Sequence, residues 1–270
     1  MGARWSGRRA GSRKPRNGPT RRAASAPPRQ VSEDELADAL VGHRRWLESG
    51  GTEGRRLDLS GCDVAGAPLQ GARLSRASFS RALLRCAVLS GADLIRAEMI
   101  GAGLECAILD RARLKSARLS GADLRHADLT EVEGRYLDAE FADLSGARLE
   151  GADLAGADLS GAVLAEAWLT GARLSRVNLR GADLRGARLR GADLQGAMLG
   201  GADLRGADLA HADLRGAYLR LSRLDGANLA GTNLSDARWL NQAQLDRASG
   251  DQTTRLPESL TVPHEGKQGR

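Results

Sequence analysis

The chain has 270 residues, of which only 3% are aromatic and 27% are charged, so any buried core must be built mainly from Leu and Ala. Its three cysteines are an odd number, which argues against a disulfide framework and favours reduced thiols in the cytoplasm. No apolar run reaches the roughly 18 residues of a membrane-spanning helix, so we expect no membrane insertion.

Residues 1–31 are a basic segment. They contain nine Arg or Lys residues and no acidic residue, mixed with Gly, Pro and Ser and without apolar periodicity. This composition predicts a disordered tail. Three roles stay open for it: a solvated extension, a weak and non-specific contact with nucleic-acid phosphates, or an organellar transit peptide, which the many Gly and Pro residues disfavour.

Residues 32–51 are predicted to form a helix that caps the segment after it. Ser32 and Glu35 have the spacing of a capping box, and Gly50 with Gly51 provides the stop signal. Four side chains suited to packing share one helical face: Leu36, Leu40, His43 and Leu47.

Residues 57–240 repeat with a period of five. Steps of five from Leu59 to Trp239 give 37 repeats without a change of phase, and Leu occupies 31 of these central positions. Ala occupies 30 of the positions two residues before the centre, and Gly occupies 20 of the positions two residues after it. A short and fixed period indicates a solenoid.

The period of five also predicts where side chains point. In an extended segment the central Leu and the Ala two residues before it share one face, while the polar residue between them points the other way. We therefore expect Leu and Ala inside. Because five is odd, a bend in each repeat must restore the phase, and Gly two residues after the centre suits a turn with positive φ.

The repeats "ADLSG", "ADLRG" and "ANLAG" resemble those of the pentapeptide repeat family. The resemblance implies an all-β solenoid, a right-handed quadrilateral parallel β-helix with four repeats in each coil and short capping helices at both ends. For 37 repeats it implies about nine coils and, at roughly 4.8 Å between stacked strands, a rod on the order of 45 Å long.

The pattern weakens at "EVEGRYLDAEFADLSG", where Gly134 and Ala139 replace Leu at two centres. The phase survives, and Leu137, Tyr136 or Phe141 could refill the lost volume. We expect a bulge or kink in the rod here, and the alternative is a partner-specific loop.

Residues 241–270 are predicted to close the other end with a helix and a tail. Asn241 and Gln244 form a cap pair, Leu240 can pack against Leu245, and Gly250 is a stop signal. A closure of this kind is needed because an open last coil would expose strand edges.

The sequence has no catalytic motif that we can identify, so we predict that the protein is not an enzyme and uses no cofactor. With twenty residues per coil, Cys86, Cys106 and His126 would stack at one corner, and thiolate and imidazole can bind Zn²⁺. Three groups in a line do not make a tetrahedron, so inert side chains are the preferred interpretation and no metal is assigned.

Apolar residues at outward positions are the candidate partner-binding residues. They are Leu83, Val88, Ile95, Ile100, Ile108 and Trp168. On the four-sided coil Val88 and Ile108 would lie on one face in adjacent coils. A contiguous patch would indicate a contact with an unidentified protein partner or with a second copy in a homodimer, although the N-terminal helix could cover part of it.

Two functions follow from this pattern. The preferred one is a non-enzymatic scaffold for protein interactions in the cytoplasm. The alternative rests on the resemblance, because some family members are acidic rods that mimic DNA and bind type II topoisomerases such as DNA gyrase. Residues 57–240 carry 23 basic and 24 acidic residues, which is too balanced for the strong negative field that mimicry needs.

Overall fold

The computed structural model describes residues 27–262. Its elements in chain order are β1 (Arg29–Gln30), α1 (Glu33–Glu48), β2 (Cys62–Asp63) and α2 (Gln242–Leu245). Most of the predicted basic tail lies outside the described residues, as does the end of the predicted closing segment. Among the described residues, no helix combines the length and the apolar character that a bilayer crossing requires.

Parallel pairing between residues twenty positions apart builds the solenoid between the two ends. Asp58 pairs with Ser78, Ser78 pairs with Glu98, and the same step continues to Arg238. Because twenty residues contain four repeats, each coil has four short extended segments joined by four turns. The resulting four ladders are named here by their first members, as the Asp58, Asp63, Pro68 and Arg73 faces.

Leu and Ala side chains fill the inside of the coils, as the alternation predicts. Leu184 and Ala182 are each 1% exposed, whereas Asp183 between them reaches solvent. Burial of one Leu side chain contributes about 1.5–3 kcal/mol relative to full exposure. A core with so few aromatic residues is therefore stabilised by many buried Leu side chains, each of which contributes a small free energy.

The second residue of every turn has a left-handed backbone. All 36 of these positions from Gly61 to Asp236 have φ between 54° and 71°. Twenty of them are Gly, which confirms the predicted reason for Gly in the repeat. The other sixteen carry a side chain and accept a cost of roughly 1–2 kcal/mol each for this conformation.

The ladder passes without interruption through the repeats centred on Gly134 and Ala139. The N–H of Gly134 donates to the carbonyl oxygen of Asp153, and the N–H of Ala139 donates to that of Asp158, both at 2.8 Å. The expected bulge or kink is therefore wrong, and so is the alternative of a loop. The segment keeps its pairing because a change of core side chain leaves the backbone phase unaltered.

Leu137 takes up the volume that Gly134 lacks. Its side chain is 5% exposed, and its Cδ2 lies 3.8 Å from the position that a Cβ on Gly134 would occupy. The Cδ2 of Leu154 lies 2.7 Å from the same position. Tyr136 and Phe141 are 62% and 72% exposed, so they do not refill the core.

The N-terminal end is covered by β1 and α1. The Ser32 hydroxyl accepts from the N–H of Glu35, and the Glu35 carboxylate accepts from the N–H of Ser32, both at 3.2 Å. β1 pairs in parallel with β2, with Arg29 opposite Cys62. The predicted tail boundary at residue 31 is therefore wrong, because Arg29 and Gln30 occupy the open edge of the first coil.

The C-terminal helix α2 is a single turn. Asn241 and Gln244 form the predicted cap pair, with both hydrogen bonds at 3.0 Å. The helix ends at Leu245, earlier than the predicted stop at Gly250. Trp239, the last repeat centre, is 67% exposed and does not continue the core.

The ladder continues beyond residue 240. Asn228 pairs with Ser249, and Asn233 pairs with Arg255, at spacings slightly longer than the usual twenty residues. These pairs are made by the predicted closing segment, residues 241–270, and not by further repeats of five. The segment after α2 returns to the ladder and pairs with the last coil.

Candidate protein-interaction surface

The six apolar residues predicted to face outward all lie outside the core. They are Leu83, Val88, Ile95, Ile100, Ile108 and Trp168. Three of them, Leu83, Ile108 and Trp168, are 40–41% exposed, and the other three are partly exposed. The ladder on which each residue lies decides which of them are neighbours.

Three of the six lie close together in the chain's first coils, on two adjacent faces that meet at the corner holding the Arg85–Glu105 ion pair. On the Pro68 face, Pro68 pairs with Val88 and Val88 pairs with Ile108. Leu83 lies on the neighbouring Asp63 face, and its Cδ2 is 3.6 Å from the position that a Cβ on Gly103 would take. We call Pro68, Leu83, Val88 and Ile108 the apolar patch.

The apolar patch is confined to the first coils. The ladder of Leu83 continues through Gly103 to Asp123, and the ladder of Ile108 continues to Asp128, so carboxylates end the patch on both faces. Cys86 is exposed and lies in the turn between the two faces. The patch therefore has a defined polar border and an exposed thiol beside it.

The other three predicted residues lie apart from the apolar patch. Ile95 and Ile100 occupy turns at two different corners of the coil. Trp168 is on the same ladder as Ile108, but two charged residues separate them. The guanidinium of Arg188 lies 4.1 Å from the centre of the Trp168 ring and covers one of its sides.

Sequence reasoning missed four strongly exposed apolar side chains. They are Tyr136, Phe141, Leu221 and Trp239, with exposures of 62–77%. The first three occupy the turn position that usually holds Gly, and this position is the signal that could have identified them. The rings of Tyr136 and Phe141 lie over the glycines of the next coil, Gly156 and Gly161.

Three of the five aspartates on the Asp63 face are held by arginines two residues further along the chain. Arg185 donates to Asp183 from Nε at 2.8 Å and from Nη2 at 2.6 Å, and Arg125 pairs with Asp123 in the same way. Hydrogen bonds from these guanidinium groups hold the pKa of Asp123 and Asp183 below the usual range. Each Asp also accepts a hydrogen bond from the N–H two residues ahead, so its side chain stabilises the turn.

Cys86, Cys106 and His126 occupy the same corner in successive coils. The His126 ring lies over Gly146, with Nδ1 2.7 Å from the position of a Cβ there. Burial, followed by the neighbouring Cys86, raises the pKa of the Cys106 thiol, which disfavours the thiolate that binds metals. Within residues 27–262, no group of three or more His, Cys, Asp or Glu side chains is placed to hold a metal ion.

A family model described as pentapeptide repeats matches eight copies in this chain. The matched residues are 58–82, 72–105, 107–133, 142–181, 172–209 and 202–238. A search of curated proteins found no match.

Several solved structures are similar to this chain. HetL, a pentapeptide repeat protein involved in the regulation of heterocyst differentiation in the cyanobacterium Nostoc sp. strain PCC 7120, is 30% identical, over 83% of this chain and 96% of HetL, with a TM-score of 0.44. A trypsin-treated form of QnrB1, a plasmid-mediated fluoroquinolone resistance protein, is 21% identical over 78% of this chain and 92% of QnrB1, with a TM-score of 0.41. A pentapeptide repeat protein of the Arabidopsis thaliana thylakoid lumen is 31% identical, over 42% of this chain and 80% of its own, with a TM-score of 0.20.

Because the family model matches more than half of the chain, and because the matched residues are those that build the ladder, the chain belongs to the pentapeptide repeat family.

Proposed function

We propose that this protein is a non-enzymatic scaffold that binds a protein partner through the apolar patch. In this proposal the rod has about nine coils, and α1 and α2 cover its ends. We place the scaffold in the cytoplasm because its three cysteines are unpaired. The observation that carries the proposal is the apolar patch, which spans two adjacent faces of the solenoid.

The backbone of the patch is fixed before any partner binds. The N–H groups of Leu83, Val88 and Ile108 donate to carbonyl oxygens of the preceding coil at 2.8, 3.0 and 2.9 Å. A partner therefore does not have to order this surface, which lowers the entropic cost of association. Exposed apolar side chains on a backbone that is already ordered are typical of a recognition surface.

DNA mimicry is less well supported by the charge distribution. The Asp63 face has five acidic residues and one basic residue, which is the largest acidic excess of the four faces. Three of its carboxylates, on Asp123, Asp183 and Asp203, are paired with arginines in the adjacent turns. Paired charges of opposite sign cancel each other's field beyond a few ångströms, so the rod does not present a row of free negative charge.

The exposed thiol of Cys86 allows the patch to be tested directly. A photoreactive maleimide on Cys86, in a full-length chain with Cys106→Ser, places the crosslinker between Leu83 and Val88, while Cys62 is buried. Irradiation in a lysate of the native cell should give a discrete crosslinked species containing one partner protein. Light scattering of the purified chain reports whether a second copy occupies the patch instead.

The matched comparison uses two sets of serine substitutions. Leu83→Ser, Val88→Ser and Ile108→Ser together should abolish the crosslink, whereas Ile95→Ser with Ile100→Ser should leave it unchanged. Crosslinking that survives the first set would show that the patch is not the interface. The alternative function would be supported if the protein inhibits the supercoiling of DNA by purified gyrase and the variant with the first set of substitutions still does so.

A further inference from the structure

Charge is segregated between the faces and the turns of the rod. Within residues 57–240, the face positions hold sixteen acidic and eight basic residues, whereas the turn positions hold eight acidic and fifteen basic residues. The near-neutral total of this region therefore conceals acidic faces that alternate with basic corners. The corners are not equal to one another.

One of the four corners is distinctly basic. It consists of the turn residues 75–76 and those that follow them in steps of twenty up to 235–236, and we call it the basic edge. It carries six basic residues and one acidic residue, Asp236, which stands at its far end. The basic residues are Arg76, Arg96, Lys115, Arg135, Arg176 and Arg215. The corner that begins at residues 60–61 holds three basic residues and one acidic residue. The corner that begins at residues 65–66 holds four basic and three acidic residues, and the corner that begins at residues 70–71 holds two basic and three acidic residues.

Most of the cations on the basic edge are free to bind an external anion. Arg76, Arg96, Lys115 and Arg176 are exposed, and within residues 27–262 none of them forms a salt bridge. By contrast, the corner that begins at residues 65–66 has four arginines, and all of them are paired with carboxylates. Arg135 and Arg215 are paired with Asp153 and Asp213, so four of the six cations of the basic edge are not neutralised internally.

The N-terminal part of the basic edge lines a cleft of about 590 Å³ against the end of α1. Its cationic lining comes from Arg76, Arg96, Arg113 and Lys115, and no carboxylate lines it. Ile95 and Leu47 supply an apolar floor. The N–H of Arg76 donates to the carbonyl oxygen of Ile95 at 2.9 Å, so the backbone positions that carry successive cations are one coil apart, roughly 4.8 Å.

An exposed aromatic ring follows the cleft along the same edge. Tyr136 is 62% exposed, and its Cε1 lies 2.9 Å from the position that a Cβ on Gly156 would occupy, so the ring rests on the glycine of the next coil. Tyr136 and Gly156 line a second cleft of about 550 Å³, together with three arginines and one carboxylate: Arg135, Arg176, Arg215 and Asp193. One side of this ring is supported by the rod and the other is open.

The geometry points to binding of single-stranded nucleic acid along the basic edge, which goes beyond the proposed protein-binding role of the apolar patch. A single line of cations fits the phosphates of one strand, and an open aromatic ring offers a surface on which a base can stack. From Arg76 to Arg215 the line spans seven coils, or roughly 34 Å.

The first test measures binding of the full-length protein to labelled oligothymidylate and oligouridylate by fluorescence anisotropy. The edge variant combines Arg76→Gln, Arg96→Gln and Lys115→Gln. Its affinity should fall at least about tenfold at low salt, and the slope of log K against log salt should become shallower by about 2, at roughly 0.7 per phosphate contact. The two oligonucleotides distinguish DNA from RNA.

The control variant removes the same total charge from other corners. Arg81, Arg180 and Arg190 are also exposed and form no salt bridge within residues 27–262, and their joint replacement by Gln should change the affinity less than threefold. Equal losses in the two variants would overturn the proposal, because binding would then follow net charge or the basic segment of residues 1–31. Absence of binding by the unmodified protein at about 50 mM salt would also overturn it.

The aromatic ring is tested separately. Tyr136→Leu should weaken binding about fivefold or more through loss of base stacking, whereas Phe141→Leu, on a different corner, should have little effect. Circular dichroism of each variant confirms that the fold is retained. A phosphoserine peptide serves as the competing probe. If the unmodified protein binds this peptide but neither oligonucleotide, and the edge variant loses the peptide binding, the nucleic-acid assignment would be overturned in favour of a phosphorylated protein.

Discussion

Leu137→Ala should destabilise the rod by about 3 kcal/mol, within the range of 2–5 kcal/mol for loss of a buried Leu side chain. The cost is expected to be high because Leu137 is 5% exposed and lies beside Gly134, which has no side chain that could move into the space. Gly134→Leu alone should cost about 1–3 kcal/mol through overpacking. A Cβ there would meet the Cδ2 of Leu154 at 2.7 Å, and the remaining space is filled by Leu137.

The two substitutions together should be far less harmful than their sum. Leu at position 134 restores the usual repeat centre, and Ala at position 137 restores the usual small residue two positions before a centre. The double variant should therefore recover at least about 2 kcal/mol relative to additivity. Urea denaturation followed by circular dichroism, analysed at a common slope, measures each free energy of unfolding.

The control for this cycle is a distant core position. Leu184→Ala combined with Gly134→Leu should be additive within about 0.5 kcal/mol, because the two sites share no contact. If the effects of Leu137→Ala and Gly134→Leu are also additive, Leu137 does not fill the space beside Gly134.

Three further outcomes follow from the turns, the core and the buried imidazole. Gly181→Ala should cost about 1 kcal/mol from backbone strain alone, because φ is +66° and nothing lies within 4 Å of the new Cβ, while Ser116→Gly, at φ 55°, should raise the melting temperature. Leu184→Asp buries an unpaired charge and should cost several kcal/mol, so an unchanged melting curve would contradict the assigned interior. Burial lowers the pKa of His43, whose Nδ1 accepts from the N–H of Leu57 at 3.0 Å. The unfolded chain then binds the proton more readily, so stability should decline as pH falls through about 6.5 towards the folded pKa, and His43→Gln should flatten that part of a pH-dependent urea series.

The repeating part of the fold could be predicted because one physical rule applies at every repeat. The inward alternation of Leu and Ala and the turn at Gly both follow from the spacing of five. The turn at Arg76 could not be predicted on the same ground, since Arg is unfavourable at φ 61°. The ladder imposes this conformation, because the bonds on both sides of the turn are made regardless of the side chain.

The irregular repeat and the two ends could be predicted less well. Leu137 and Ala139 stand in the reverse of the usual order of Ala and Leu, and the core accepts them because both positions point inward. A count of Leu at the central positions alone suggests a break in the repeat. At the ends the ladder depends on what covers its open edge. The pairing of Arg29 with Cys62 and the return of the chain at Ser249 have no signal in a period of five.

The candidate surfaces depend on the step of twenty residues between stacked positions, which the family resemblance implied and the observed pairing shows. The sequence shows 23 basic and 24 acidic residues in residues 57–240, and this balance alone predicts no region of strong charge. Sorting the same residues by the observed step separates the basic edge from the acidic faces and separates the apolar patch from Ile95 and Ile100. The corner within the apolar patch, which begins at residues 65–66, and the basic edge, which begins at residues 75–76, are two corners apart and therefore opposite each other around the four-sided coil. A protein on the patch and a nucleic-acid strand on the basic edge would thus use different sides of the same coils, so one ligand would not displace the other.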